Sequence, residues 1–387
     1  MRIVHTADWH VGRVWKNVNR LDEMAAVLEH LAEFIERERI GLLLMAGDVF
    51  ETGNPPAEAE RLVFRFFKRI GQAGVQSVVI AGNHDSAARL DAWGTLAELV
   101  DVRTLGRPQP ASKGGVQKIG TSGGEQAVVA AVPFAAPRYF VSAMELAGEE
   151  TAIKTQYAEM FKRMVGHLCD SFQADSVNLL MAHTHLDSAV YGESERRVHL
   201  GDDWAATPQA LPSSAHYVAL GHIHKPQKIE AAPAPTWYAG SPLQLDFGEV
   251  GQQKVFLVID AVPGRPARVQ EVPYEGGKPL LDLRLTLDEI EARKDELRGT
   301  AWMRLTVPLA EPDPDLSRKV RSLLPAALVV HAELPERSND VSEVTLRPDA
   351  PPTELYAMYH RQQHGGAPDA AVLQAFERLY EQHAGET

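Results

Sequence analysis

Between the N-terminus and about residue 260, segments with a helical spacing of apolar residues alternate with short continuous apolar runs. Apolar residues recur every three or four positions between residues 21 and 35, which predicts a helix with one buried face. A second helix is predicted from about Glu58 to Ile70. Between and after these helices lie continuous apolar runs, among them "GLLLMAG", "VQSVVIAG", "SVNLLMAH" and "HYVALGH", which are typical of strands buried on both faces. The pattern predicts a layered α/β fold.

The pattern changes in a segment rich in glycine and proline, Val262 to Pro279, which we interpret as a linker. Beyond it, leucines at every second position from 281 to 287 predict a strand. Two helices and two further strands are predicted before about Leu346. We therefore expect a small α+β domain after the linker.

Two short amphipathic segments, 353–363 and 368–382, close the sequence. They either pack on their own domain or form a helical hairpin that docks on a partner. The apolar residues that share a helical face are Leu355, Met358 and Tyr359 in the first segment, and Val372, Phe376 and Leu379 in the second.

The composition, 44% hydrophobic and 24% charged, is that of a folded protein. No apolar run is long enough to span a membrane and no signal-like segment opens the sequence, so we expect a cytoplasmic protein without membrane association. Cys169 is the only cysteine, which excludes an internal disulfide and a thiolate metal site. A formal net charge of −13 argues against coating nucleic acid by bulk positive charge. It does not exclude a nucleic-acid enzyme whose bound cations contact phosphate.

Five apolar runs end in residues that can bind metal ions. In an α/β fold, strand ends meet at one edge of the sheet, where ligand sites collect. Asp8 and His10 are two residues apart, as are His222 and His224, so on an extended backbone both side chains of each pair point the same way. The candidate residues are Asp8, His10, Asp48, Asn83, His84, His183, His185, His222 and His224.

Each candidate taken alone has an ordinary structural explanation, because aspartates cap helices, Gly-Asp and Gly-Asn form turns, and most single histidines are structural. Their coincidence at five strand ends favours a metal site. Imidazoles, carboxylates and one amide suit manganese, iron or zinc rather than calcium or copper(I). The set is too large for one ion, so we expect two ions that share a carboxylate. Two ions about 3.5–4 Å apart can activate water and clamp a phosphate during in-line hydrolysis.

Four motifs, "HTADWHVGR", "AGDVFETGNPP", "AGNHDS" and "YVALGHIHKPQ", occur in this order. They resemble the motifs of the calcineurin-like metallophosphoesterases, and in particular the bacterial meiotic-recombination-type nuclease subunits. The resemblance covers about the first 260 residues by motif and the rest by order and size. It implies a metallophosphoesterase fold of two packed β-sheets flanked by helices over 1–272. It also implies a DNA-positioning α+β capping domain over 280–347 and C-terminal helices over 352–384.

The resemblance implies a role for each candidate residue. His84 would contact the scissile phosphate and protonate the leaving oxygen. Glu51 stands where archaeal relatives carry a second histidine, and Asp85 could either orient His84 or close the turn. His183 is preferred to His185 because it directly follows its apolar run. The implied ligands are Asp8, His10 and His224 for one manganese ion, Asn83, His183 and His222 for the other, and Asp48 as the bridge.

The implied function is a manganese-dependent DNA nuclease that acts in repair, recombination and replication. It would be a 3′-to-5′ exonuclease on duplex ends and an endonuclease on single strands and hairpins. The C-terminal helices would dock on an ABC-type ATPase that provides much of the DNA-binding surface. Helices of the catalytic domain would form a homodimer.

Two other functions compete with this one. A phosphoprotein phosphatase would be expected to carry an arginine after its second motif and a Gly-Asn-His-Glu sequence, and the chain has neither "DRG" nor "GNHE" at these places. A small-molecule phosphodiesterase has little use for a long C-terminal extension. A non-catalytic scaffold is disfavoured because every ligand position and His84 are occupied.

Overall fold

The structure, a computed structural model, describes residues 1–135, 150–190, 205–335, 350–364 and 366–384. The chain divides into two compact units, Met1–Pro308 with Asp313–Glu333, and Leu309–Pro312 with Leu334–Thr387. All strands lie in the first unit, as far as the chain is described. Within the same described ranges, no helix is both long and apolar enough to cross a membrane.

Seventeen strands and eight helices are formed by the described residues. The strands are β1 (Arg2–Thr6), β2 (Val14–Trp15), β3 (Val18–Asn19), β4 (Leu42–Met45), β5 (Gln76–Ile80), β6 (Val102–Leu105), β7 (Val116–Gly120), β8 (Gln126–Val132), β9 (Val177–His183), β10 (Tyr217–Gly221), β11 (Gln227–Lys228), β12 (Thr236–Tyr238), β13 (Val255–Asp260), β14 (Arg268–Pro273), β15 (Leu280–Arg284), β16 (Trp302–Pro308) and β17 (Ala327–Glu333). The helices are α1 (Leu21–Arg37), α2 (Ala57–Gln72), α3 (Ala87–Ala97), α4 (Glu150–Cys169), α5 (Leu287–Leu297), α6 (Leu316–Leu323), α7 (Pro352–His364) and α8 (Ala370–Ala384).

Two six-stranded sheets make up most of the first unit. The first has the order β14-β13-β1-β4-β5-β6, with β1, β4, β5 and β6 parallel. The second has the order β11-β12-β10-β9-β8-β7, with β12, β10, β9 and β8 parallel. Strand β14 lies in the segment interpreted from the sequence as a linker. That interpretation is wrong for residues 268–273, because they pair with β13 along its whole length.

The two sheets pack face to face. Apolar side chains from both fill the space between them, including Leu44 from the first sheet and Met181 from the second. Helices α1 and α2 cover the outer face of the first sheet, and α4 packs on the second. Strands such as β4 and β9 are therefore apolar throughout, because both of their faces are buried. The predicted fold of two packed sheets flanked by helices is confirmed.

The segment after β14 forms a three-stranded parallel sheet in the order β15-β16-β17, with α5 and α6 as crossover helices. Helix α5 begins with a capping box, in which Thr286 Oγ1 accepts the Glu289 N–H and Glu289 Oε2 accepts the Thr286 N–H. Two buried or part-buried bonds tie this small sheet to the rest of its unit. Leu280 N donates to Gln244 Oε1 at 2.7 Å, and Trp302 Nε1 donates to Glu23 Oε1 at 2.8 Å. The last part of the expected capping domain, 336–347, lies outside the described residues.

The helices of the second unit, where it is described, are α7 and α8. The two helices contact each other through Tyr356 and Phe376, whose rings stack with centroids 4.3 Å apart. Phe376 is thus packed against α7, whereas Val372 and Leu379 remain exposed. Both helices lie within 352–384, the segment for which the sequence predicts C-terminal helices.

Candidate dimetal centre

The candidate residues follow the carboxyl ends of five parallel strands. In the first sheet, Thr6, Met45 and Val79 are aligned across β1, β4 and β5. In the second sheet, Gly221 of β10 is paired with His183 of β9. The segments that leave these strand ends meet at one edge of the two packed sheets. The fold thus brings together residues that are up to 216 positions apart, Asp8 and His224 among them.

Several candidates have a backbone conformation that L-residues rarely adopt. The φ angles are 51° at Asp8, 48° at His10, 51° at Asp48 and 106° at His222. The extended backbone expected around Asp8 and His10 is therefore wrong, although both side chains do reach the same cluster. Backbone bonds hold the loop in place, since Asp8 N donates to the Gly47 carbonyl and His10 N to the Asp48 carbonyl, both at 3.0 Å. Strain of this kind concentrates at functional sites.

Glycines allow the loops to approach one another. A β-carbon on Gly47 would lie 2.3 Å from His183 Nδ1, and one on Gly82 would lie 2.1 Å from Asp48 Oδ1. Neither position can hold a side chain without moving a candidate ligand.

A first cluster contains Asp8, His10 and His224, which are all buried and whose ligand atoms lie within 4.8 Å of one another. The Nε2 atoms of the two histidines face each other at 3.1 Å. Imidazole nitrogens bind ions such as zinc at about 2.1 Å, so two of them on one ion lie about 3.0 to 3.4 Å apart. The His10 and His224 nitrogens are already at that separation.

A second cluster forms around the side-chain oxygen of Asn83. This oxygen lies 3.0 Å from His183 Nε2 and 3.0 Å from His222 Nδ1. His183 Nδ1 donates to the Ala46 carbonyl at 2.8 Å, which leaves a lone pair on Nε2. Two imidazoles and an amide oxygen thus converge on one point.

Asp48 lies between the two clusters. Its Oδ2 is 3.7 Å from His10 Nε2 in the first cluster and 3.5 Å from His183 Nε2 in the second. Burial alone would raise the pKa of Asp48, but the His84 backbone N–H that donates to Oδ1 favours the ionised form, and the pKa lies below its usual value. A carboxylate so placed is ionised at neutral pH and can contact two ions at once.

The buried histidines are held in the neutral state that metal binding requires. Burial is the largest influence on all four and lowers the pKa of each below the ordinary value of 6.5. At neutral pH a metal ion therefore does not have to displace a proton from these rings. The four residues are His10, His183, His222 and His224. With this donor set, the structure defines a site for divalent metal ions.

His84 belongs to the site but has a different environment. Its Nδ1 lies 2.8 Å from the Glu51 carbonyl oxygen, which can only accept a hydrogen bond, so Nδ1 carries a proton. Its backbone N–H donates to Asp48 Oδ1 at 2.8 Å. The ring is only partly buried, with its centroid 4.6 Å from that of His10. Nε2 is the nitrogen left for a substrate.

His185, the second candidate after the β9 run, lies farther out. Its ring centroid is 6.5 Å from that of His222, and it is in none of the three ligand groups that the described residues form. His183, in contrast, is in contact with both Asn83 and Asp48.

The structure adds charged residues that the sequence did not assign to the site. Glu51 Oε2 lies 2.9 Å from His10 Nδ1. Glu249 Oε1 lies 3.7 Å from His224 Nδ1, and Lys254 Nζ lies 2.6 Å from Glu249 Oε2. Glu51 could have been suspected from its place three residues after Asp48. Glu249 and Lys254 carry no sequence signal, because neither follows a predicted strand end.

The site and fold correspond to a known class of protein. The family model of the calcineurin-like phosphoesterases matches residues 1–226, and the chain belongs to this family. Within it, the chain is similar to three proteins that are each named as the D subunit of the nuclease SbcCD. It is 31% identical to the one from Bacillus subtilis (strain 168), over 98% of this chain and 97% of that protein. It is 30% identical to the one from Escherichia coli (strain K12), over 89% and 87%, and 30% identical to the one from Rhodobacter capsulatus, over 75% and 76%. The family predicted from the motifs is confirmed.

Solved structures also resemble the chain, at low similarity. The protein TT1561 of Thermus thermophilus covers 70% of this chain and 98% of its own, with 12% identity and a TM-score of 0.37. A dimetal phosphatase from Danio rerio covers 71% and 99%, with 10% identity and a TM-score of 0.41. The family assignment rests on the sequence relatives and not on these two structures.

Proposed function

We propose that the chain is the nuclease subunit of a two-component DNA-processing enzyme and hydrolyses phosphodiester bonds in a manganese-dependent reaction. One observation carries the proposal above the others. Asp48 Oδ2 lies 3.7 Å and 3.5 Å from histidine nitrogens of two separate ligand clusters, as a carboxylate shared by two ions must. The relatives named as a nuclease component point to nucleic acid as the substrate.

Each predicted ligand has a place in this proposal. Asp8, His10 and His224 would hold one ion, the cluster at Asn83 would hold the other, and Asp48 would be shared by both. When bound, the two ions supply an activated water and neutralise charge on the phosphate. Asn83 contributes a neutral oxygen, which adds no negative charge beside an anionic substrate.

His84 is proposed to act on the substrate and not on the ions. Its Nδ1–H is fixed by the Glu51 carbonyl, which orients the ring and leaves Nε2 for the substrate. With a second proton on Nε2, the ring can contact the scissile phosphate and give that proton to the leaving oxygen, which returns His84 to the neutral form protonated on Nδ1. A histidine can exchange a proton near neutral pH, which such a step needs.

DNA is the proposed substrate, as duplex ends for 3′-to-5′ exonuclease activity and as single strands and hairpins for endonuclease activity. The net charge of −13 argues against DNA binding by bulk positive charge of this chain, and a partner is proposed to provide much of the DNA-binding surface. The partner proposed is the ABC-type ATPase SbcC, since the relatives carry the joint name SbcCD. The segment 280–347 is proposed as a capping domain that positions DNA.

The C-terminal hairpin, 352–384, is the proposed contact with the ATPase. Tyr359 is 57% exposed and Leu379 58% exposed, which is unusual for side chains of their size. An amphipathic helix commonly docks through such residues into a groove of its partner.

A homodimer is proposed to form through α2 and α3. Three apolar side chains of this region are exposed: Phe64 by 44%, Leu96 by 72% and Leu99 by 81%. Phe64 and Leu96 line an apolar cavity of about 290 Å³ together with residues such as Phe67 and Trp93. A second copy of the chain would cover this surface.

The proposal is tested by following cleavage of a DNA hairpin and a blunt duplex by the chain with its ATPase partner, with and without MnCl2. We expect manganese-dependent cleavage that is lost in Asp8→Ala and in His84→Gln. His84→Gln should still bind two manganese ions, because its side chain contacts no ion in the proposed arrangement. Intact DNA together with hydrolysis of a phosphopeptide would refute the nuclease assignment, and loss of bound metal in His84→Gln would refute the role given to His84.

A further inference from the structure

Two carboxylates lie directly behind the two histidines of the first cluster. Glu51 Oε2 is 2.9 Å from Nδ1 of His10, and Glu249 Oε1 is 3.7 Å from Nδ1 of His224. The opposite nitrogens of the two rings, both Nε2, face each other at 3.1 Å. In the first cluster the two Nε2 atoms therefore face each other, and each ring has a carboxylate on its Nδ1 side, close to His10 and more distant from His224.

A carboxylate behind a metal-binding histidine has two effects. It accepts the Nδ1 proton, which fixes the tautomer with its lone pair on Nε2, and it raises the basicity of that lone pair. The removal of such a partner from other metal sites costs about 10–100-fold in metal affinity.

The two carboxylates are themselves held in place. Arg13 Nη1 lies 3.4 Å from Glu51 Oε2, and Lys254 Nζ lies 2.6 Å from Glu249 Oε2. Lys254 also donates to the His224 carbonyl at 2.9 Å. Because each carboxylate is paired with a cation, its charge is largely compensated at longer range. It therefore mainly affects the basicity of the histidine beside it.

The second cluster is built differently. His183 Nδ1 is held by the neutral Ala46 carbonyl at 2.8 Å, and the third donor is the neutral oxygen of Asn83. His222 has other histidines around it, with the ring centroid of His183 at 5.4 Å and that of His185 at 6.5 Å. The carboxylate of Asp8 groups with His10 and His224 in the first cluster, and ligand atoms of Asp8, Asp48 and His183 also lie within 4.8 Å of one another.

We propose that Glu51 and Glu249 are positioning residues that make the first cluster the high-affinity metal site, so that the two ions load in a fixed order. The first ion binds at Asp8, His10 and His224. The second binds more weakly at Asn83, His183 and His222, so its occupancy sets the active fraction of the enzyme when metal is scarce. The inference rests on the metal assignment of the proposed function.

Metal binding itself provides the test, without any DNA. The metal-free full-length chain is titrated with MnCl2, and binding is followed by calorimetry and by the electron paramagnetic resonance signal of free Mn²⁺. We expect two separated steps in the wild type. Asp8→Ala should remove the tight step and leave the weak one, and Asn83→Ala should do the opposite.

The carboxylates are then tested one at a time. Glu51→Gln keeps the shape of the side chain but removes its charge, and should weaken the tight step about tenfold while the weak step changes less than about twofold. Glu249→Gln alone would leave the buried Lys254 ammonium beside a neutral amide and could unfold the chain. The double variant Glu249→Gln, Lys254→Met removes both charges and should also weaken the tight step about tenfold. Glu38→Gln, which removes a surface partner of Arg2, is the control and should change neither step.

Three results would overturn the inference. They are two equal steps in the wild type, a tight step that survives in Asp8→Ala, and an unchanged tight step in Glu51→Gln. If the proposed nuclease function alone were wrong, the two ions would still bind in order but the DNA would remain intact.

Discussion

Gly82 is the position where the smallest change should damage the metal centre most. A methyl group at this position would lie 2.1 Å from Asp48 Oδ1 and 2.4 Å from the Asp48 backbone nitrogen. Non-bonded carbon atoms normally approach to about 3.5–4.0 Å, and carbon and oxygen to only slightly less, so Gly82→Ala requires a displacement of about 1 Å. Rotation of the Asp48 side chain cannot relieve the clash, because one of the two contacts is with the backbone.

The size of the effect follows from what this displacement disturbs. Overpacking of a rigid site costs about 1–3 kcal/mol, which is the expected loss in free energy of unfolding. The bridging carboxylate moves relative to both clusters, and a misplacement of about 1 Å can lower a rate about 100-fold. We therefore expect a folded variant of reduced stability, with weakened binding of both ions and cleavage reduced about 100-fold.

The measurements are urea unfolding of the metal-free chain, titration with MnCl2 and hairpin cleavage. Gly166→Ala is the matched control, since Gly166 lies in α4 with no neighbouring atom within 4 Å of the added methyl group. It should leave metal binding and cleavage unchanged and stabilise the chain by up to about 1 kcal/mol. If Gly82→Ala bound both ions and cleaved DNA like the wild type, the bridging role given to Asp48 would have to be abandoned.

Three further predictions concern pH and the two proposed interfaces. Burial lowers the pKa of His10, His183, His222 and His224 in the folded state, so the unfolded chain binds protons more readily. The free energy of unfolding of the metal-free chain should therefore fall as the pH drops below about 6.5. Urea unfolding between about pH 7.5 and 5 measures this change, and a pH-independent free energy of unfolding would contradict the burial of neutral rings. The double variant Tyr359→Glu, Leu379→Glu should weaken binding to the ATPase at least about tenfold while metal binding stays the same, with Gln374→Glu as the control; unchanged affinity in a pull-down titration would exclude the hairpin as the docking surface. Phe64→Glu with Leu99→Glu should convert a dimer to a monomer in analytical ultracentrifugation, and a dimer that persists would move the interface elsewhere.

The sequence was sufficient for features that depend on local periodicity. The buried face of α1 and the apolar strands β4, β5, β9 and β10 follow directly from residue spacing, and the strand ends identified the residues that meet at the site. The sequence was insufficient where pairing over distance decides the structure. Residues 268–273 lie in a segment rich in glycine and proline that looks like a linker, yet they form β14 by pairing with the edge of β13. The exposed pattern of β14, with no residue fully buried, gives no periodic apolar signal.

Glu249 could not be predicted from the sequence, because its role depends on contacts that form only in the folded chain. Its carboxylate contacts include His224 and Lys254, and the pairing with these two residues is visible only in the folded chain. Glu51 was visible as a departure from the archaeal pattern, but its contact with His10 requires the φ of 48° at that histidine, which spacing does not reveal.

Asp85 illustrates how the structure decides between two roles that the sequence left open. Its carboxylate accepts three backbone N–H bonds, from Val49 at 3.2 Å, Phe50 at 3.0 Å and Gly82 at 2.9 Å. It therefore closes the turn and ties the loop after β4 to the loop after β5, whereas His84 is oriented by the Glu51 carbonyl. Since one loop carries Asp48 and the other carries Asn83 and His84, this single carboxylate fixes the bridging ligand relative to the substrate-facing histidine. The strained loops can then keep their geometry without metal, because backbone bonds to Asp85 hold them together.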